Sequence, residues 1–178
     1  MKSLKELRNI DFKLTGTELF FSRVKNLTER KLDFDVFLPS LNMNLQREKV
    51  WNLTQKRELI MSVFLERYIP SVCLMSLIDG DGVSEADVIQ VIDGKQRLTT
   101  FIDFLNDEFS INLEGMEFYF SELPEDYSRA IAYYEIKSQV AYEQFERRFT
   151  DKDKIDWFSR INFFGTPQDI EHLKKLKP

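Results

Sequence analysis

The spacing of apolar positions changes several times along this chain, and each change marks an element. Val88, Ile89, Val91 and Ile92 form a short apolar run that predicts a buried strand. Directly after Asp93-Gly94, Leu98, Phe101, Ile102 and Leu105 recur at helical spacing, so an amphipathic helix opens there. Val72 to Ile78 predicts a second strand, and the polar stretch DGDGVSEA predicts a turn joining the two as an antiparallel hairpin. Upstream, FFSRV and LDFDVFL read as two strands separated by the turn NLTERK. Ile60, Val63 and Phe64 share one face of a helix that Thr54 can cap and that runs to about Tyr68. Downstream, Met116 to Phe120 predicts a strand, Pro124 opens a short helix, and Tyr133 to Tyr142 reads as strand. Thr150 and Asp153 form a capping pair for a helix from Lys152 to about Phe163, and Thr166-Pro167 marks one more helix start.

This series has no repeat and no long linker, so the simplest reading is one compact α+β domain over residues 1–178. Its first 35 residues would form an N-terminal strand extension within that domain. With 43% hydrophobic residues, the chain can bury one good core, and most of its 16 Phe are expected there. No apolar run has the length of a membrane span, and MKSLKELRNIDFKL lacks a secretory apolar region, so a cytoplasmic location is expected. Cys73, the only cysteine, excludes an intramolecular disulfide and a cysteine-based zinc site, and its apolar surroundings suit a small buried hydrophobe rather than a nucleophile. The acidic DGDGVSEA segment lacks the later bidentate Glu of an EF-hand loop, which leaves a surface turn.

The net charge of −5 argues against broad nucleic-acid binding and confines any DNA contact to local patches. Candidates are Gln46, Arg47, Lys49, Lys56 and Arg57, then Arg147, Arg148, Lys152 and Lys154, with Lys174, Lys175 and Lys177 at the end. A solvated face is the default reading of each group.

The junction VIDGKQRLTT carries the candidate chemistry. Glycine permits a sharp turn, and the first turn of the helix after it presents amide N–H groups with no partner inside the helix. Those amides and the positive end of the helix dipole favour an anion. Arg97 can hold a phosphate or carboxylate by two parallel hydrogen bonds, and Lys95 adds a point charge. Asp93 would repel such a ligand, so it either caps the helix or holds a divalent cation that bridges to phosphate. An ordinary capped helix with solvated charges fits the same spacing.

The same residues resemble the DGQQR signature of the N-terminal domain of GmrSD-type restriction enzymes, also known as domain of unknown function 262. Two further blocks agree in order. LPSLNMNLQREKVWNLTQKRELIMSVFLERYIPSVCL resembles the family's first block at Pro39, Gln46, Arg47, Trp51, Ile69 and Pro70. WFSRINFFGTPQDIEHLKKL resembles its third at Phe158, Arg160, Ile161, Asn162, Gly165, Thr166 and Pro167. The chain departs from the pattern at Lys95, where the family usually has Gln, at Leu45, where an aromatic is common, and at Phe164, which replaces a Gly.

The resemblance implies a ParB- or sulfiredoxin-like fold, a small mixed sheet packed with helices. It also implies binding or hydrolysis of a nucleoside triphosphate with a divalent cation such as magnesium, linked to DNA restriction or phage defence. On that reading Asp93, Gln96 and Arg97 are catalytic, with Asp93 also the metal ligand. Gly94, Lys95, Thr99, Thr100, Arg160 and Asn162 bind the nucleotide. Gln46, Arg47 and Trp51 contact DNA or substrate. From the residues alone, a Trp before a helix, such as Trp51, more often anchors the core, and Arg160 can simply pair with Asp156 one turn earlier. The implied partners are the nucleotide, DNA and a separate nuclease subunit. His172 is the sole histidine and no GxxxxGK[ST] loop occurs, so neither an HNH nuclease nor a P-loop plan is expected in this chain. The alternative is a noncatalytic DNA- or protein-binding regulator of a related nuclease.

Overall fold

A computed structural model of the chain describes residues 14–18 as backbone, and residues 23–29, 31–46, 51–77, 88–143 and 148–163. The main sheet has five strands, β1 (Leu14–Glu18), β2 (Leu32–Asp33), β5 (Val72–Leu77), β6 (Val88–Asp93) and β9 (Ser138–Tyr142), in the order β1-β9-β5-β6-β2. It is mixed: β5 runs antiparallel to β6 and parallel to β9, while β2 is parallel to β6 and β1 antiparallel to β9. Two small hairpins lie outside it, β3 (Phe37–Leu38) with β4 (Met43–Asn44), and β7 (Ile111–Leu113) with β8 (Met116–Phe118). The helices are α1 (Leu53–Phe64), α2 (Lys95–Leu105), α3 (Glu125–Ala132) and α4 (Asp151–Phe163). The architecture is the expected α+β fold with a small mixed sheet.

Alternation along the strands divides the interior in two. Val72, Leu74, Ile89, Val91 and Val140 join the larger cluster, where Leu98, Phe101 and Phe104 supply the apolar face of α2. Ile60 and Val63 of α1 and Ile131 of α3 close the same cluster. Cys73, Met75, Ile92 and Ala141 enter a smaller cluster with Val36 and Trp157 of α4. The central strands are therefore apolar on both faces, which is why β5 and β6 read as continuous apolar runs rather than alternating ones. Phe101 and Phe104 are fully buried, and each contributes roughly 1.5–3 kcal/mol by leaving water.

Several sequence expectations need correction. NLTERK is not a simple turn: Val24–Glu29 is a 3-10 helix whose Val24 and Leu27 are buried, so FFSRV does not end in strand, and its Phe20, Phe21 and Ser22 lie outside the described residues. Within LDFDVFL the chain makes two separate two-residue strands, because Asp33 folds the intervening residues by accepting from the amides of Asp35 and Val36. The cap of α1 is Asn52, not Thr54; Asn52 and Gln55 exchange side-chain to backbone hydrogen bonds of 3.0 Å in a full capping box. That helix also stops at Phe64, well before Tyr68. Only Ser138–Tyr142 of the segment from Tyr133 is strand. Elsewhere the reading holds: Thr150 and Asp153 cap α4 reciprocally, and Pro124 precedes α3. The DGDGVSEA turn and the Thr166-Pro167 start lie outside the described residues.

Asn52→Ala should lower unfolding stability by about 1 kcal/mol, whereas Thr54→Ala should change it by less than about 0.5 kcal/mol. Urea denaturation of the two variants checks which residue caps α1.

Candidate functional site

The signature lies where β6 gives way to α2, and one residue makes the change of direction. Gly94 occupies the N-cap position of α2 with φ 109°, a left-handed conformation, and no side chain caps the helix. A Cβ on Gly94 would fall 2.5 Å from Val72 Cγ1, so glycine is needed for space as well as for conformation. The first closed turn of α2 is the Leu98 amide donating to the Gly94 carbonyl at 2.9 Å. The earlier amides are the helix-terminal donors that favour an anion.

Asp93 is not the helix cap. Its Oδ2 accepts from Arg97 Nη2 at 2.7 Å, an ion pair across one helical turn with both side chains mostly buried. The same Nη2 lies 3.4 Å from the Ser71 carbonyl, just before β5. Arg97 Nε is buried with no protein partner. Arg97 thus ties the start of β5 to the end of β6 while keeping one donor unsatisfied, a state that costs free energy.

Lys95 leaves the other side of the turn. It is buried, and its Nζ donates to Asp35 Oδ1 at 3.0 Å. Asp35 is presented by the Asp33-centred turn, next to Val36, which is fully buried with φ 41°. A β-branched residue in the left-handed region is strained. Here the amides held by Asp33, and a hydrogen bond from the Leu45 amide to the Val36 carbonyl, impose it.

Two residues of the first block are fastened to the signature. The Gln46 side-chain amide donates to the Val91 carbonyl in β6. The Trp51 amide donates to Gln96 Oε1 at 3.2 Å. Trp51 packs against the larger core cluster and lines an open groove of about 380 Å³, so it serves the core and still has a face on that groove. Other walls of the groove are Thr54 and Glu58 of α1, Tyr68, Pro70 and Arg97. Tyr68 is 86% exposed. It was missed because it was read as the end of a helix; its signal is an aromatic residue immediately before Ile69-Pro70, off the apolar face of α1.

Of the expected site residues, Trp51 and Arg97 line the groove, whereas Gln46, Asp93, Gly94, Lys95, Gln96, Thr99, Thr100, Arg160 and Asn162 do not. Thr99 and Thr100 are buried, and their hydroxyls donate to the Lys95 and Gln96 carbonyls at 2.8 and 2.7 Å, inside their own helix. Arg160 and Asn162 are exposed on α4, and Asn162 Nδ2 donates to the Phe158 carbonyl. Arg47 lies outside the described residues, as do Lys49, Arg147 and the terminal lysines. Of the other candidate cations, Lys56 pairs with Asp103, Arg57 with Glu117, and Arg148 with Glu143, while Lys154 is buried.

The described residues do not fit a metal held by protein alone. No cluster of three or more His, Cys, Asp or Glu side chains occurs among them, and Asp93 already faces a guanidinium. Beside the junction, Cys73 is buried, and burial together with the Asp93 charge pushes its thiol up to about 12, against a smaller lowering by Arg97. It is a protonated core thiol at neutral pH.

Gly94→Ala should destabilise the fold by about 2–4 kcal/mol through backbone strain and the Val72 clash, measured by chemical denaturation. Cys73 should react with Ellman's reagent at pH 8 only as the protein unfolds; rapid reaction of the native protein would contradict its burial.

No helix among the described residues is long and apolar enough to cross a membrane. No curated protein and no solved structure matches the chain. The family comparison does find a match, to the GmrSD restriction endonuclease N-terminal domain, over residues 24–176. That span takes in Gln46 and Trp51, the whole strand–glycine–helix junction, and α4, so the chain belongs to the GmrSD restriction endonuclease N-terminal domain family, with a role related to restriction and phage defence.

Proposed function

We propose that this domain binds a nucleoside triphosphate in the groove between α1 and the signature helix. One observation carries the reading: Arg97 of the signature, Trp51 of the first block and Tyr68 line the same concavity of about 380 Å³. Its size is within the range of small-molecule sites. Aromatic faces accept a base without strong sequence preference, and a guanidinium suits phosphate. The base and ribose lie along Trp51 and Tyr68, and the phosphates extend towards Arg97 and the first-turn amides of α2. The buried, unpartnered Nε of Arg97 supports this orientation, because a phosphate oxygen would satisfy it after a small turn of the side chain.

Hydrolysis would follow from an exchange of partners. As Arg97 moves from Asp93 to the phosphates, it neutralises charge on the transferred phosphoryl group. Asp93, released from the guanidinium, accepts the proton of the attacking water. Gln96 keeps Trp51 on the groove through the Trp51 amide and orients the water or a phosphate oxygen. Lys95 lends positive potential from beneath the turn, with Thr99 and Thr100 fixing that turn from inside. Any magnesium would arrive on the triphosphate, since Asp93 alone offers it no site. Turnover would act on DNA through a nuclease subunit, with Arg47, Arg160 and Asn162 as further contacts.

A second reading, a noncatalytic regulator of a related nuclease, is favoured by a different observation. Arg97 and Lys95 are each already matched by a carboxylate of the same chain.

Thermal unfolding against ATP, GTP, CTP and UTP, each with and without magnesium, separates the two. A nucleotide at a hundred times its dissociation constant adds about 2.7 kcal/mol, a rise of roughly 5–10 °C for a chain of this size. Tyr68→Ser should keep the melting point of the free protein and lose that rise. Arg97→Ala should lose it too, along with phosphate release. No shift with any nucleotide would sink the proposal and leave the regulator.

A further inference from the structure

A second concavity shares no lining residue with the nucleotide groove and lies on another side of α1, at Met61, Phe64 and Leu65. The last turn of α1, the β7–β8 hairpin and the start of α3 enclose about 420 Å³ between Met61, Leu65, Leu113, Met116, Phe118 and Tyr127. Two of its lining residues pack together: Phe64 of α1 meets Tyr127 of α3 edge to face with ring centroids 5.1 Å apart. Its sides are apolar and wet, with Leu65 53% and Met116 60% exposed. Exposed apolar surface gathered into a groove marks an interaction site, whereas scattered single residues do not.

The rim determines what fits. Glu114 lines this groove, and Glu66 and Asp126 are the exposed chain neighbours of its lining residues Leu65 and Tyr127; none of the three forms an ion pair with any described residue. Glu66 and Glu114 both occupy left-handed turn positions, φ 49° and 52°, which close the last turn of α1 and the β7–β8 hairpin at the groove's edges. The basic residues nearest in sequence are already matched: Arg67 to Glu58, Arg57 to Glu117 and Arg129 to Glu125. An apolar floor with unmatched carboxylates around it is complementary to an amphipathic helix that carries lysine or arginine beside its apolar stripe.

We propose that this groove is a docking site for a basic amphipathic helix of a partner protein, with apolar anchors one and two turns apart. Leu65 and Met116 receive the anchors, and the adaptable methionine side chains, Met61 and Met116, let the groove mould to them. Glu66, Glu114 and Asp126 set the helix in register by charge.

The test uses the full chain with methionine methyl groups labelled for NMR and two synthetic helical peptides that share one leucine stripe. One peptide has lysine flanks and the other glutamate flanks. The lysine peptide should shift the Met61 and Met116 methyl signals and bind at least tenfold more tightly, and the gap should narrow as salt rises. Glu114→Lys combined with Asp126→Lys should reverse the preference, and Met116→Glu should abolish binding of both. Equal affinity for the two peptides, or no shift with either, overturns the proposal. So does concentration-dependent self-association in sedimentation that Met116→Glu removes, which would make a second copy of the chain the occupant.

Discussion

The structure depends on a lack of space beside one backbone atom. Gly94 lies so close to Val72 of the neighbouring strand that no side chain can be accommodated, and its left-handed turn converts strand into helix within a single residue. That close approach lets Leu98, Phe101 and Phe104 press onto the sheet from which the helix has just emerged. It also brings Arg97 back over Asp93 and Ser71. A wider connection would move α2 outward and separate the guanidinium from the groove lined by Trp51 and Tyr68. Packing and candidate chemistry therefore share one steric condition.

The charges of the site are balanced from within. Arg97 and Lys95 hold Asp93 and Asp35, but the two pairs differ in environment: both members of the first are mostly buried, whereas Asp35 is largely exposed opposite a buried lysine. Leaving either cation without a partner in low dielectric is costly, so its carboxylate stays until another anion can take its place. An exchange of anions at Arg97 keeps the number of charge pairs constant.

The sequence revealed those parts of the fold where burial fixes the pattern. β5, β6 and α2 were legible because each is apolar over a length typical of its type, and the α4 cap was legible because Thr150 and Asp153 are local partners. The segment from Val24 to Asn44 was not, because its strands are two residues long and its shape comes from one side chain, Asp33, turning the backbone on itself. At the site, Arg97 and Gly94 were visible from the motif. Asp35 as the partner of Lys95 was not, since it requires contact between residues sixty positions apart. Tyr68 was misread for a similar reason: its position on the groove depends on where α1 stops, and Leu65 and Glu66 decide that by leaving helical geometry.

The strand order also constrains how the sheet can assemble. β9 lies between β1 and β5, so β1 has no neighbour in the sheet until a segment more than a hundred residues later has been made and placed. Pairings this remote in sequence form slowly because the loop must close before any contact rewards it. On a ribosome, β5, β6 and α2 can settle first as a local unit, while the earliest strand waits with an unpaired edge. The interval before β9 arrives is when this chain is most open to pairing with a neighbouring copy or to capture by a chaperone.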